Sequence, residues 1–251
     1  MSMAIVDVRK IRPIDHGEAM ELATIGYERL LSLVDDLEAD DWERSTDCEA
    51  WTIKDIVSHL LGEAEAFASM REFVHQFRIS SREARASAIQ PADAMNALQV
   101  RERSHLSPAE LVGRLKATAP RSVRKRRRTP RLMRTMPMKL PVVGKDSYGY
   151  LSDVIITRDV WMHHIDITRA ASKALEVTAD YDGRLIADVV ADWGRRHGRA
   201  FRLVLEGPAS GTHVQDGADG QEEHQLDAVE FCRILSGRLA GTGLLTYPAL
   251  F

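Results

Sequence analysis

Apolar side chains recur at three- and four-residue steps through the first two-thirds of the chain, which is the pattern of helices that bury one face. The capping residues Thr52, with Asp55 three positions later, and Ser107, with Glu110 three positions later, mark two sharp helix starts. Residues 79–106 are polar, and only the second half of this stretch shows a helical period. The pattern predicts helices over Glu18–Leu37, Thr52 to about Phe77, Ala92–Arg103, Ser107–Ala119, Ser147–Ser172 and Gly183–Gly194.

The pattern changes after Gly198, where short apolar segments alternate with turn residues. A turn is expected at Gly217–Gly220, and Asp227 is expected to cap a short final helix. These features predict an α+β fold, with a helical domain over residues 1–178 and a small C-terminal α/β domain over residues 179–251. The predicted strands are Phe201–Leu205, Thr212–Gln215 and His224–Leu226.

Composition limits the class of protein. A chain of 251 residues can bury a large core without disulfides. Its two cysteines, Cys48 and Cys232, give no disulfide framework, and both are expected to pack as small apolar residues in a reducing cytoplasm. No apolar run approaches the roughly 18–20 residues that span a bilayer. The first residues lack the apolar centre of a secretory signal, so we expect a cytoplasmic protein with no membrane partner.

Residues 121–134 form a strongly basic stretch, with eight positive charges and no negative one. Pro120 precedes it, and the expected structure is a solvated loop rather than a continued helix. A binding site for a small carboxylate or phosphate is the sharper alternative. The net charge of the whole chain is −3 and the stretch has no interleaved aromatic residues, which argues against nucleic acid as the partner.

Candidate chemistry centres on two histidines and a carboxylate. Asp159 and His163 are four residues apart, which places them on one face of a helix, and His59 lies on another predicted helix. Three such ligands would hold a divalent metal and leave an open coordination position for a substrate or water. Hydrogen-bonded core residues are the alternative. Asp166 either orients an imidazole or forms a surface ion pair, while His164 points about 100° away from His163.

Three segments resemble one known family. The motif C-E-A-W-T-I-K-D-I-V-S-H-L at residues 48–60 is similar to a segment of the mycothiol-dependent maleylpyruvate isomerases, a family of DinB-like metal-binding four-helix bundles. The segment T-R-D-V-W-M-H-H-I-D at residues 157–166 resembles the family's second ligand helix. Residues 230–238 resemble part of its small C-terminal α/β domain, and residues 80–146 match least.

This resemblance implies a divalent metal, usually zinc, held by His59, Asp159 and His163, with Asp55 and Asp166 supporting the ligands. It also implies mycothiol as the thiol co-substrate. The metal ion would activate this thiol, because a divalent cation favours the nucleophilic thiolate over the thiol. The reaction would be isomerisation or S-transfer on a small electrophile that carries a carboxylate. The family has Glu where this chain has Asp159, whose carboxylate reaches about 1.5 Å less far.

The basic stretch would then supply the group that holds the substrate carboxylate, and Arg124, Arg128 and Arg131 are the candidates. Three other interpretations stay open. The bundle could be a non-catalytic protein that binds a small ligand, or a hydrolase with a metal-bound water. A nucleic-acid-associated protein that uses the arginines is the least favoured.

Overall fold

A computed structural model of the protein describes residues 5–217 and 221–251, so the predicted turn at Gly217–Gly220 lies outside the described residues except for Gly217. The chain forms two compact units. The first contains His16–Pro141 and Asp146–Leu175. The second contains the described part of residues 1–15, Val142–Lys145 and Glu176–Phe251, which differs from the contiguous division expected at residue 178.

The first unit is helical. Helices α1, α2, α5 and α7 form a four-helix bundle, in which α2 contacts α5 and α7, and α1 contacts the same two helices. A hairpin of α3 and α4 packs against α2. A π-helical turn, Tyr150–Ile155, leads directly into α7. The helices are α1 His16–Asp35, α2 Ile53–Ala68, α3 Met70–Ser87, α4 Pro91–Arg103, α5 Pro108–Arg127, α6 Arg131–Arg134 and α7 Ile156–Ala170, with a 3-10 turn at Ala39–Glu43.

Local sequence fixes the start of α2, the helix that carries His59. The Thr52 side chain accepts a hydrogen bond from the backbone of Asp55, and the Asp55 carboxylate accepts one from the backbone of Thr52. Ser107 and Glu110 make the same reciprocal pair at α5. Both predicted capping boxes are therefore confirmed, and each satisfies backbone donors that a helix start leaves exposed.

The expectation of one helix from Thr52 toward Phe77 is wrong, because the chain breaks at Ser69. Ser69 has an extended backbone (φ −142°, ψ 118°) and its side chain accepts a hydrogen bond from the backbone of Glu72. It thus ends α2 and caps α3 at the same point, as serine favours. Helix α3 continues to Ser87, through residues where the sequence shows no clear period.

The expectation that α5 ends before Pro120, with a loop after it, is also wrong. Pro120 is exposed, so the carbonyl of Lys116, which loses its helical partner, can be hydrated. On the opposite face a buried stripe runs unbroken to the end of the helix. Burial of this stripe outweighs the cost of one proline. The stripe consists of Leu111, Leu115, Thr118, Ala119, Ser122, Val123 and Arg126.

The second unit is a four-stranded mixed sheet with two helices. The strand order is β1-β5-β4-β6, with β4 and β5 antiparallel and both outer strands parallel to their neighbours. The three predicted strands are confirmed, whereas β1 was not predicted. The elements are β1 Ile5–Asp7, α8 Asp182–His197, β4 Phe201–Glu206, β5 Gly211–Gln215, β6 Glu222–Asp227 and α9 Ala228–Leu235, with 3-10 turns at Val8–Lys10 and Gly243–Thr246.

Two features complete the description. Strands β2, Pro137–Leu140, and β3, Gly144–Ser147, form a separate two-stranded sheet. Among the described helices, none combines the length and apolar character that crossing a bilayer requires. The α+β fold class, with a four-helix bundle and a small α/β part, is confirmed.

Candidate metal centre

The three predicted ligands meet inside the bundle. His59 lies on α2, and Asp159 and His163 lie one turn apart on α7. Asp159 Oδ2 lies 3.2 Å from His59 Nε2, and Asp159 Oδ1 lies 3.5 Å from His163 Nε2. Both histidines are buried, while Asp159 is half-buried. All three potential ligand atoms lie within 4.8 Å of one another.

A chain of amides orients His59. Its Nδ1 lies 2.8 Å from Gln99 Oε1 on α4. Gln99 uses its amide nitrogen to donate to Gln76, whose own amide nitrogen donates to the carbonyl of Gly62. Because the Gln99 oxygen can only accept, His59 Nδ1 is the donor in this contact, and Nε2 is the ring nitrogen that faces Asp159. Sequence reasoning missed both glutamines, because an amide in an amphipathic helix usually faces solvent.

Asp166 orients the second imidazole. Its Oδ2 lies 3.0 Å from His163 Nδ1, and the Asp166 side chain is fully buried. It is therefore an internal partner of the histidine and not a surface ion pair. Asp55 has a different role from the one expected: among the described residues its carboxylate bonds only to Thr52, so it caps α2 rather than supporting the ligands.

This arrangement fits a divalent cation. Nε2 of each imidazole and the carboxylate of Asp159 face a common point, where a cation would attract the carboxylate and accept the lone pairs of both nitrogens. Two nitrogens and one oxygen are a donor set that zinc accepts, with a fourth position left for another ligand. Although Asp is shorter than Glu, Asp159 still reaches both imidazoles. His164 is partly exposed and is not a member of the cluster.

Trp51 and Cys48 border the cluster. The Trp51 ring centroid lies 5.1 Å from that of His59 and 5.9 Å from that of His163. Cys48 is half-buried, and its sulfur lies within 4.8 Å of potential ligand atoms of His163 and Asp166. Cys48 therefore lies beside the ligands, whereas Cys232 is fully buried in the core, as expected.

A second polar group lies deeper in the bundle. Glu63 follows His59 by one turn of α2, and burial together with the negative charge of Asp159 raises its pKa well above the ordinary value. Arg126 of α5 is 1% exposed; burial lowers its pKa, and its Nη2 donates to Thr157 Oγ1 at 2.9 Å. Neither Glu63 nor Arg126 was singled out from the sequence, because buried charges have no periodic signature.

The predicted anion-binding arginines lie elsewhere. Arg124, Arg128 and Arg131 are all exposed, and none is a member of the ligand cluster. Arg128 lines a cavity of about 290 Å³, and Arg124 lines another cavity, of about 280 Å³, between α1 and α5. The basic stretch therefore presents most of its charges to solvent and buries one, Arg126.

A family profile matches part of this sequence, and solved structures match its fold. The family profile described as the mycothiol maleylpyruvate isomerase N-terminal domain matches residues 24–168, a span that contains the three candidate ligands. No curated protein matches the sequence. One solved structure of a mycothiol-dependent maleylpyruvate isomerase is similar, with a TM-score of 0.61 and 16% identity. The structure of a histidine-to-alanine mutant of such an enzyme is also similar, with a TM-score of 0.60 and 15% identity.

Each structural match covers 98% of this chain and 100% of the other, so the likeness includes the whole fold. The family match covers more than half of the chain and confirms the resemblance seen in residues 48–60 and 157–166. The chain therefore belongs to the family defined by the mycothiol maleylpyruvate isomerase N-terminal domain.

Proposed function

We propose that this protein is a divalent-metal-dependent enzyme that uses mycothiol, a low-molecular-weight thiol, on a small electrophile bearing a carboxylate. The reaction is isomerisation or S-transfer. The observation that carries the proposal is the convergence of His59, Asp159 and His163 on one point, with the second nitrogen of each imidazole already held by Gln99 or Asp166. Family membership supports mycothiol as the thiol.

A divalent metal bound to these ligands, zinc by preference, supplies the positive charge that favours a thiolate over a thiol. The protein's own residues prepare the site for it. Gln99 and Asp166 keep a proton on Nδ1 of each imidazole, so both Nε2 atoms stay available. Trp51 packs beside both imidazole rings.

The proposed isomerisation conserves atoms and electrons. The thiolate sulfur adds to an activated carbon–carbon double bond, the resulting single bond rotates, and the same sulfur leaves as the double bond forms again. In S-transfer the sulfur stays bound to the electrophile. Arg124, Arg128 and Arg131 are the exposed guanidinium groups proposed to attract the substrate carboxylate.

The first test is metal retention. We expect about one metal ion per chain in protein purified without chelator or histidine tag, and loss of that metal in His59→Ala and in His163→Ala. Elemental analysis gives the metal content, and circular dichroism checks that the helices persist. His164→Ala is the matched control, since it removes a neighbouring imidazole on the same helix that is no member of the cluster. Stoichiometric metal in both ligand variants would rule out this site.

The second test separates the reactions. Turnover that requires both metal and mycothiol supports the proposal. Turnover that requires metal but is the same with and without mycothiol identifies a hydrolase with a metal-bound water. A chain that takes up no zinc, nickel or manganese would instead be a binding protein on an inherited bundle.

A further inference from the structure

A cavity of about 290 Å³ lies in the helical unit, between the end of α2, the start of α3 and the end of α5. This volume is close to the lower end of the range for small-molecule sites. Its lining has two chemically distinct parts. The apolar part includes Phe67, Met70, Phe73, Met133 and the ring of Tyr148. The basic part consists of Lys125, Arg126 and Arg128, and none of the described lining residues is acidic.

Arg126 is the buried member of the basic part. It is 1% exposed, and its guanidinium carbon lies 5.9 Å from the centroid of the Phe67 ring. Nη2 donates to Thr157, whereas Nε and Nη1 are buried with no hydrogen-bond partner among the described residues. Buried polar groups are nearly always hydrogen-bonded in folded proteins, so these donors point to a ligand.

The chemistry of the lining defines that ligand. A guanidinium with buried N–H groups that lack a partner among the described residues suits a carboxylate, whose oxygen can accept a charge-assisted hydrogen bond from it. Lys125 and Arg128 add positive charge at the same cavity, so the ligand is an anion. The aromatic and methionine side chains favour a flat, apolar body, and the volume limits the ligand to a small molecule.

We propose that this cavity binds a small carboxylate with an unsaturated or aromatic body, and that Arg126 anchors the carboxylate. The inference rests on the proposed function, because the carboxylate in the cavity would be that of the proposed electrophilic substrate. It makes the buried Arg126 the residue that determines specificity for an anion, whereas the exposed Arg124, Arg128 and Arg131 attract the carboxylate from solvent. Glu63, on the same helix as His59, interacts electrostatically with both Arg126 and Asp159, which links Arg126 to the candidate metal site.

The test uses benzoate as the probe and isothermal titration calorimetry on the full chain without added metal. Benzamide, which has the same shape but no charge, is the matched probe. We expect saturable binding of benzoate and at least about tenfold weaker binding of benzamide. Arg126→Met should weaken benzoate by a similar factor. Arg121→Gln, which removes an exposed arginine of α5 outside the cavity lining, should leave binding unchanged.

Because Arg126 is buried, its replacement risks misfolding, and a second variant leaves every charge in place. Ala68→Leu fills the cavity from the α2 side and should abolish benzoate binding while circular dichroism stays unchanged. Benzoate binding that survives in Arg126→Met and Ala68→Leu, equal binding of benzamide, or no saturable binding would each overturn the proposal. If the protein binds benzoate but shows no thiol-dependent activity, the result supports the proposed carboxylate site and contradicts only the proposed function.

Discussion

At the scale of single residues, the candidate metal site depends on groups outside the three candidate ligands. His59 and His163 each have two ring nitrogens, and only a fixed tautomer presents Nε2 to the common point. Gln99 and Asp166 select that tautomer through contacts of 2.8 and 3.0 Å. Gln99 is itself fixed by Gln76, so the orientation of one ligand depends on three helices, α2, α3 and α4.

Replacing Gln99 tests this support. Gln99→Leu should weaken zinc affinity about 10–100-fold, because the imidazole of His59 loses the acceptor that holds its tautomer. Competition with a chromogenic chelator measures the affinity. Asn96→Leu, a change to a half-buried amide on the same helix, is the control and should bind zinc like the parent. Equal affinity in Gln99→Leu and the parent would show that the amide chain does not orient the ligand.

At the scale of elements, α5 shows how burial along one face outweighs a local helix breaker. The proline is exposed, and the buried stripe on the opposite face continues past it as far as Arg126. Without those last two turns, Arg126 would not reach Thr157 of α7. The length of α5 therefore determines whether the basic stretch supplies an internal cation.

Pro120→Ala should stabilise the protein. The change restores a backbone donor for the carbonyl of Lys116 and removes a steric conflict worth about 3 kcal/mol, less about 1 kcal/mol for the freer unfolded chain. We expect the free energy of unfolding, measured by urea titration, to rise by about 1–2 kcal/mol. Arg121→Ala at the neighbouring exposed position should change it by less than about 0.5 kcal/mol. A Pro120→Ala variant of lower stability would mean that the proline fits its helix without strain.

At the end of α8, His197 is expected to make the stability of the second unit depend on pH. The ring of His197 packs 4.3 Å from Trp193, and its Nδ1 accepts a hydrogen bond of 3.0 Å from the backbone N–H of Arg199. Burial, with the charge of Arg199, lowers the pKa of His197 from 6.5 to about 4. The unfolded chain therefore binds more protons than the folded one between these two values. Stability from neutral His197 is complete above the unfolded pKa and is lost as pH falls toward the folded pKa.

His197→Gln should consequently flatten the pH dependence of unfolding. The drop in free energy of unfolding between pH about 7 and about 4.5 should be smaller in this variant than in the parent. His105→Gln, at an exposed histidine, should keep the slope of the parent. Parallel slopes for His197→Gln and the parent would show that His197 titrates normally in the folded state.

At the scale of the whole molecule, a strand near the N-terminus joins three strands from residues 201–227 in one sheet. Strand β1 pairs in parallel with β5, with Ile5 opposite Thr212. Val8, directly after β1, is fully buried, and the backbone N–H of Ile14 donates to Asp188 of α8. The N-terminal segment is thus part of the core of the second unit.

Val8→Ala tests this connection. Loss of a buried side chain should cost about 1–3 kcal/mol and expose the amides of β5 to faster hydrogen exchange, measured by mass spectrometry, with α2 as the internal reference. Ile5→Ala, at a position that is 61% exposed, should leave the exchange of β5 near that of the parent. Unchanged protection of β5 in Val8→Ala would show that the N-terminal segment adds no stability to the sheet.

The sequence by itself determined those features whose signals are local. Amphipathic periods located the bundle helices, capping residues fixed the starts of α2 and α5, and the spacing of Asp159 and His163 placed two candidate ligands on one face. The motifs around His59 and His163 also indicated the family, which the family profile confirms.

Only the tertiary structure decided the features that depend on distant contacts. His59 meets Asp159 across one hundred positions of sequence, and Gln99 and Arg126 are buried by neighbours that no local period reveals. Strand β1 forms because it pairs in parallel with β5. The three residues of β1 are too few to show a strand pattern by themselves. The physical reason is the same in each case: local sequence sets backbone preference and polarity, whereas burial, pairing and charge environment depend on which segments pack together.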